Sequence, residues 1–348
     1  MSLFNLVQKS NGRVQLYCCG RRILSFGRRN TLKPSSNYFI HRKYGKVWYP
    51  YYQSNEIIKG KKSVLYNKDG QKMDLFFIRD THTSINPYSG SKYFEWDRYN
   101  IGLDTHFYSH KAMLETMGKP TRRYGFFIEP RTITPIDYRI FEKFKGLEQD
   151  FDSVFTADDQ ILNDIPNAQF FPACANLWYP RERMNPTAWQ NKIKNISILS
   201  SHKHQTEYHL LRLDCAQRCK RLGCADTFGT FDGGPRVEKE DTLEPYRYSI
   251  IIENVRSSGY FTEKILDCFA AQTIPIYLGA TDIDRFFNSD GIIQIQPEDI
   301  NHIEDILKQC TPEAYTERLA AVQDNYHRVQ AFFNNWDWLY EHYFLENK

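Results

Sequence analysis

Between residues 196 and 309, short runs of β-branched and aliphatic residues alternate with amphipathic stretches of helical length, a rhythm that leaves few folds open. ISILSS (196–201), DTFGTF (226–231), YSIIIE (248–253), IPIYLG (274–279) and GIIQI (291–295) read as strands, and 206–222, Thr262–Gln272 and 298–309 as helices. Strands alternating with helices of this length predict a parallel sheet covered on both faces. Such sheets hold ligands at the carboxyl ends of their strands. A less regular series of the same kind precedes it: SVLYN (63–67) and MDLFFIRD (73–80) about a turn at Asp69-Gly70, a helix near 109–117, the strand YGFFIE (124–129), a helix after Pro135, and DSVFTA (152–157). FFPACANLWYPRERMNP (170–186) reads as a linker, and 312–343 as one long final helix. The expected division is residues 1–185, 186–311 and 312–348, and 348 residues is roughly twice one ordinary domain.

Composition excludes several classes. With 41% hydrophobic and 25% charged residues, the chain is neither disordered nor fibrous. No run of about 18 apolar residues occurs, and the first 20 residues lack a signal-peptide core, so a cytoplasmic location is expected. Residues 1–64 carry 13 Lys or Arg against the single acid Glu56, while the remainder carries 32 basic and 41 acidic side chains. That basic, Tyr- and Trp-rich stretch either pairs with the acidic remainder or meets an anionic partner; peripheral contact with a membrane or a lipid-linked glycan is weighed ahead of nucleic acid. Leu211, Cys215, Cys219 and Leu222 recur at steps of four, four and three, which makes one apolar helix stripe rather than a zinc site.

The segment YSIIIENVRSSGYFTEKILDCFAAQTIPIYLGA (248–280) carries the chemistry. A buried strand ends at Glu253 and Asn254, a loop with Gly259 follows, and Thr262 is placed to cap the next helix. Lys264 in the first turn opposes the helix dipole, which makes sense if an anion such as phosphate binds between them. The pattern E-N, eight residues ending in G-Y-F-T, then E-K-I-L-D and T-I-P-I-Y-L-G resembles the donor-binding motif of the α-1,3-fucosyltransferases, glycosyltransferase family 10. The resemblance implies GT-B architecture, two Rossmann-like domains facing across a cleft, with the C-terminal one holding GDP-fucose and no metal or other cofactor. It assigns Asn254, Tyr260, Glu263 and Lys264 to the nucleotide sugar, with Lys264 and Tyr260 facing the diphosphate and Glu263 the guanosine or fucose hydroxyls. Glu253 is the acidic partner, with a structural hydrogen-bonding role equally open. SILSSHKHQTEYHLLRL (197–213) resembles the segment that opens the donor domain, and Arg212 matches its phosphate-neutralising arginine; Ser201 and Lys203 are weaker candidates. Family members of animals carry an N-terminal membrane anchor, so a bacterial or viral type acting on a glycan precursor is expected.

The resemblance also implies a glutamate base just after a strand of the N-terminal domain. Glu129, ending YGFFIE, fits; Arg131 can pair with it and lower its pKa. Glu95, Trp96 and Asp97 form a mixture of carboxylates and an aromatic ring that suits a sugar acceptor, and Glu95 or Asp97 is the fallback base. Asp104, His106 and His110 have no common metal spacing. The triplets Asp150-Phe151-Asp152 and Asp282-Ile283-Asp284 can hold a metal diphosphate, though triplets this short arise often by chance. The expected activity is inverting, metal-independent transfer of fucose from GDP-fucose to a glycan hydroxyl, α-1,3 to a GlcNAc-type residue by resemblance alone. Its rivals are a transferase using another nucleotide-activated sugar, a glycan- or nucleic-acid-binding module, and a transferase that binds GDP without turnover.

Overall fold

The computed structural model describes residues 4–8, 14–18, 21–26, 38–41, 45–48, 65–66, 69–80, 91–98 and 100–345. The chain divides into two compact units, residues 1–156 with 161–170, and residues 157–160 with 171–348. In the first, β1 (Phe4–Gln8), β2 (Val14–Cys18) and β3 (Arg21–Phe26) form an antiparallel meander, and β4 (Tyr38–His41) and β5 (Gly45–Trp48) a hairpin. The side chains of the basic N-terminal stretch, and with them its expected partner, lie outside the described residues.

The main sheet of this unit is built on β7 (Lys72–Arg79), whose last four residues are all buried. The short β6 (Leu65–Tyr66) pairs antiparallel with its start, across the turn at Asp69-Gly70. On the same sheet β7 runs parallel to β8 (Phe94–Asp97) and to β9 (Thr105–Ser109), and β10 (Arg122–Phe126), β11 (Ser153–Thr156) and β12 (Ala168–Phe170) follow in parallel. Phe77, Tyr108, Met113, Phe127, Tyr138 and Val154 belong to its core. The helix expected over 109–117 is only a 3₁₀ turn, His110–Leu114, because His110 has φ +49° and Gly118 φ +65°. After Pro135 a 3₁₀ turn leads into the single-turn α1 (Ile140–Lys143), and α2 (Asp159–Asp164) follows β11.

The second unit follows the strand–helix rhythm closely. Its sheet runs β14 (Asp226–Phe228), β13 (Lys194–Leu199), β15 (Tyr246–Ile252), β16 (Ile274–Leu278), β17 (Ile293–Gln294), all parallel. Every residue of β16 is buried, as an unbroken apolar run in a two-faced sheet requires. The connections carry α3 (Glu207–Leu222), α4 (Lys239–Leu243) and α5 (Glu263–Ala270), with α6 (Ile303–Leu307) after β17. Cys215 and Cys219 are fully buried in the core with Ile198, Ile250 and Ile276, whereas Leu222, expected on the same stripe, is exposed at the helix end. The long final helix does not form. The chain makes α7 (Pro312–Glu317), α8 (Leu319–Arg328), a 3₁₀ turn and α9 (Asn335–Tyr343). Arg318 leaves helical geometry and donates to the Asp290 carbonyl at 2.6 Å. Asn334 is extended, and its side chain accepts from the Trp336 and Asp337 N–H groups, restarting the chain as a capped helix. Each main sheet is thus Rossmann-like, the two-unit α/β composition of GT-B architecture.

Candidate functional site

Strand order in the second sheet reverses direction between β13 and β15, so the crevice at their carboxyl ends is the place this topology offers a ligand. From β13 the chain passes through Ser200–Gln205 to Thr206, which caps α3: Thr206 Oγ1 accepts from the His209 N–H at 3.1 Å, and His209 Nδ1 accepts from the Thr206 N–H at 3.2 Å. Arg212 lies in the second turn of α3. It is 7% exposed, and its Nη1 donates to the Ile252 carbonyl at 2.7 Å and to Asn254 Oδ1 at 3.5 Å. Among the described residues its Nε and Nη2 make no hydrogen bond, which leaves donors of a planar fork for an anion. Asn254 is held in turn, its carbonyl accepting from Thr206 Oγ1 at 3.3 Å.

From β15 comes the second half of the site. Glu253 is wholly buried; its carboxylate accepts from the Thr262 N–H at 2.9 Å, from Thr262 Oγ1 at 2.8 Å and from Lys264 Nζ at 3.2 Å. Room for it depends on Gly279, where a Cβ would lie 2.7 Å from Glu253 Cγ and 2.2 Å from Tyr277 Oη. Thr262 caps α5 as its sequence position predicts, accepting from the Lys264 N–H. Lys264 Nζ also stands 3.4 Å from Glu263 Oε1, and Lys239 Nζ lies 3.8 Å from that oxygen. Burial works against the charge on Lys264, but Glu253 and Glu263 outweigh it and raise its pKa; burial likewise opposes charge on Glu263, but Lys264 and Lys239 outweigh it and lower its pKa. Both stay ionised at neutral pH. His209 is pushed down to about 4, first by burial and then by the charges of Arg212, Lys203 and Lys264.

The loop between these halves is fixed from beyond it. Asp282 accepts from the Gly259 N–H at 2.6 Å and from Ser258 Oγ at 2.8 Å, and pairs with Arg285 at 2.7 Å. Gly259 meets this geometry with φ +64°. Asp282, the more promising of the two Asp-x-Asp triplets for a metal, is engaged with protein groups. Tyr260 is 6% exposed.

In the first unit, Glu129 stands three residues past the end of β10 and is half-buried. Its backbone is gripped at both ends: its N–H donates to His110 Nε2 at 3.3 Å, and its carbonyl accepts from Tyr138 Oη at 2.8 Å. His110, fully buried, also accepts from the Ile128 N–H at 3.1 Å, so this ring mounts the Glu129 loop. Arg131 lies over the Tyr138 ring, 4.8 Å from its centroid. Glu95, Trp96 and Asp97 lie on β8 and are half-buried. The Trp96 ring packs 4.8 Å from Phe94 and 5.1 Å from Phe107, and Asp97 Oδ1 accepts from the Asn100 N–H at 2.9 Å. Burial pushes His106 down to about 4, and its Nδ1 lies 2.9 Å from Tyr108 Oη. Among the described residues no group of three or more His, Cys, Asp or Glu is arranged to hold a metal.

Sequence reasoning missed Lys239, Asp267 and His209. Asp267 is 1% exposed, and Lys239 Nζ reaches its Oδ2 at 2.6 Å while leaning on Glu263. The position of His209 three residues after Thr206 was a readable cap signal; nothing local ties Lys239 to α5.

A parallel sheet of 2-1-3-4-5 order with helices in its connections gives the second unit a Rossmann-like topology. Residues 189–343 match the model of the glycosyltransferase family 10 (fucosyltransferase) C-terminal region. The alpha-(1,3)-fucosyltransferase FucT of Helicobacter pylori is 35% identical over 57 residues, 16% of this chain and 12% of that protein. A putative fucosyltransferase-like protein of Arabidopsis thaliana is 30% identical over 273 residues, 74% of this chain and 47% of that protein. The chain thus spans less than half the length of either curated relative. A crystal structure of an alpha1,3-fucosyltransferase with GDP aligns at TM-score 0.45 and 14% identity, covering 78% of this chain and 92% of the other.

Proposed function

We propose that the protein is an inverting fucosyltransferase that moves L-fucose from GDP-fucose to a hydroxyl of a glycan acceptor, α-1,3 on a GlcNAc-type residue. The observation that carries this reading is the pairing of Arg212 and Lys264 at the switch point of a family 10 domain, both held in place by protein groups before any ligand arrives. The acceptor oxygen attacks the anomeric carbon as the bond from that carbon to the β-phosphate oxygen breaks. The hydroxyl proton passes to Glu129, and the electron pair leaves with GDP. Charge growing on the diphosphate is met by Arg212 and Lys264, donors oriented in advance of the reaction. These cations do the work a metal ion does in other transferases, so the reaction needs none. Asn254 and Tyr260 shape the donor pocket, Glu263 takes sugar hydroxyls, and Glu253 acts through Thr262 and Lys264 as a positioning residue. Glu95, Trp96 and Asp97 meet the acceptor, a glycan free or linked to lipid at the cytoplasmic membrane surface.

Calorimetric titration with GDP-fucose, GDP-mannose and UDP- and dTDP-sugars, followed by mass-read transfer to a panel of glycan acceptors, tests this. Binding confined to GDP compounds and a mass gain of one deoxyhexose are expected. No binding by any GDP compound removes the fucose reading, and selective binding of another nucleotide sugar transfers the site to that donor. Glu129→Gln is expected to keep donor binding and lose transfer by about 10² or more; unchanged turnover would take the base role from Glu129.

A further inference from the structure

Five charged side chains of the second unit alternate in sign through successive contacts. Glu253 accepts from Lys264 Nζ at 3.2 Å, Lys264 stands 3.4 Å from Glu263 Oε1, Lys239 lies 3.8 Å from the same oxygen, and Lys239 donates to Asp267 Oδ2 at 2.6 Å. The carboxylates at the two ends are buried, Glu253 at 0% and Asp267 at 1% exposure. Asp267 is kept ionised by its partners, for its hydrogen bonds all come from N–H groups. The Trp178 and Tyr179 amides donate to Oδ1, and the Lys239 ammonium to Oδ2. Lys239 has little freedom to leave. Its Nζ lies 4.6 Å from the centroid of the Trp178 indole. The short α4 that carries it is tied at its far end, where the Leu243 carbonyl accepts from Lys192 Nζ and from Thr273 Oγ1, each at 2.9 Å.

Glu253 and Glu263 flank Lys264, and by themselves they would more than cancel its charge. Lys239 shifts that balance. It takes up Asp267 and shares Glu263 with Lys264. The carboxylates Glu253, Glu263 and Asp267 then face the cations Lys264, Lys239 and Arg212, the last of which Glu253 and Glu263 also hold charged. Without Lys239 the group would carry one net negative charge where water screens it poorly, and it would repel a diphosphate. We infer that Lys239 is a positioning residue of the diphosphate site, neutralising Asp267 and sharing Glu263 so that Lys264 keeps positive charge to offer. It acts through those carboxylates and needs no contact with the ligand. The inference rests on the nucleotide-sugar reading above, which gives Lys239 no part.

Calorimetric titration of GDP into the wild type, Lys239→Met, Asp267→Asn and the double variant tests this as a charge cycle. Methionine keeps most of the lysine stem without the charge, and asparagine keeps the Oδ1 acceptor for the two backbone N–H groups. Lys239→Met is expected to bind GDP about tenfold more weakly, Asp267→Asn about threefold more tightly, and the double variant within about threefold of the wild type. A residue that only held the fold together would not be rescued by removing its partner's charge. The inference is overturned if Lys239→Met binds GDP like the wild type, or if the double variant is as weak as Lys239→Met. Melting temperatures are read on each variant. Should Lys239→Met fail to fold, Asp267→Asn decides: tighter binding sustains the inference, and binding equal to or weaker than that of the wild type overturns it. If the wild type binds GDP and Lys239→Met binds it equally well, the nucleotide-sugar reading survives alone. If the wild type does not bind GDP, that reading fails and the inference falls with it.

Discussion

At the scale of single residues, Lys264 is held charged by two carboxylates. A lysine in the first turn of a helix opposes the dipole, and this one is buried as well, yet Glu253 and Glu263 keep it charged. Removing it leaves Glu253 buried without its cation and, on the proposed mechanism, the leaving diphosphate without a preset donor. Lys264→Ala is therefore expected to lower kcat/KM about 10²- to 10³-fold, measured in steady state with GDP-fucose; a loss under threefold would contradict the assignment. His209 makes a second test. Its folded pKa of about 4 lies below the 6.5 of the free side chain. Between those values the unfolded chain binds a proton that the folded chain does not, so stability rises with pH there and is lost as acid is added from 6.5 towards 4. Urea unfolding at pH 7 and pH 5 should show a larger acid loss for the wild type than for His209→Gln. A bound diphosphate brings negative charge beside His209 and should raise its pKa, visible as proton uptake in titrations run in buffers of different ionisation heat.

At the scale of elements, the strand–loop–helix from β15 to α5 was largely readable, because its determinants are local. The strand pattern, the Thr262 cap and the register of Lys264 lie within 20 residues of one another. Element ends were less legible. His110 adopts a left-handed backbone because its ring accepts from Ile128 and Glu129, residues 18 and 19 positions away, and that tertiary demand shortened the expected helix. The final segment has helical periodicity throughout, but the Asn334 cap and the Arg318 bond to Asp290 divide it. The close approach of β16 to Glu253 is a further element property. Gly279→Ala would drive a methyl group into Glu253 and Tyr277, so a loss of about 1–3 kcal/mol in unfolding free energy is expected, together with weaker GDP binding. An unchanged denaturation midpoint would show that the strand end shifts at little cost.

At the scale of the whole molecule, two parallel sheets with cores of their own follow from the alternating pattern, and the second lies within the residues that match the family 10 model. If protein cations alone stabilise the departing diphosphate, transfer measured after EDTA treatment should equal that of untreated protein, and added Mg²⁺ should not raise it; a rate lost to EDTA and restored by a divalent ion would refute the metal-free reading. The amino-acid sequence by itself determined the strand–helix order of the second unit and the cap of α5, since each depends on neighbours within a few turns of chain. Tertiary structure alone decided that Gly279 leaves room for the buried Glu253 and that Lys239 reaches Glu263 and Asp267. Those contacts join segments about two dozen residues apart, and only packing of the helices on the sheet brings them together.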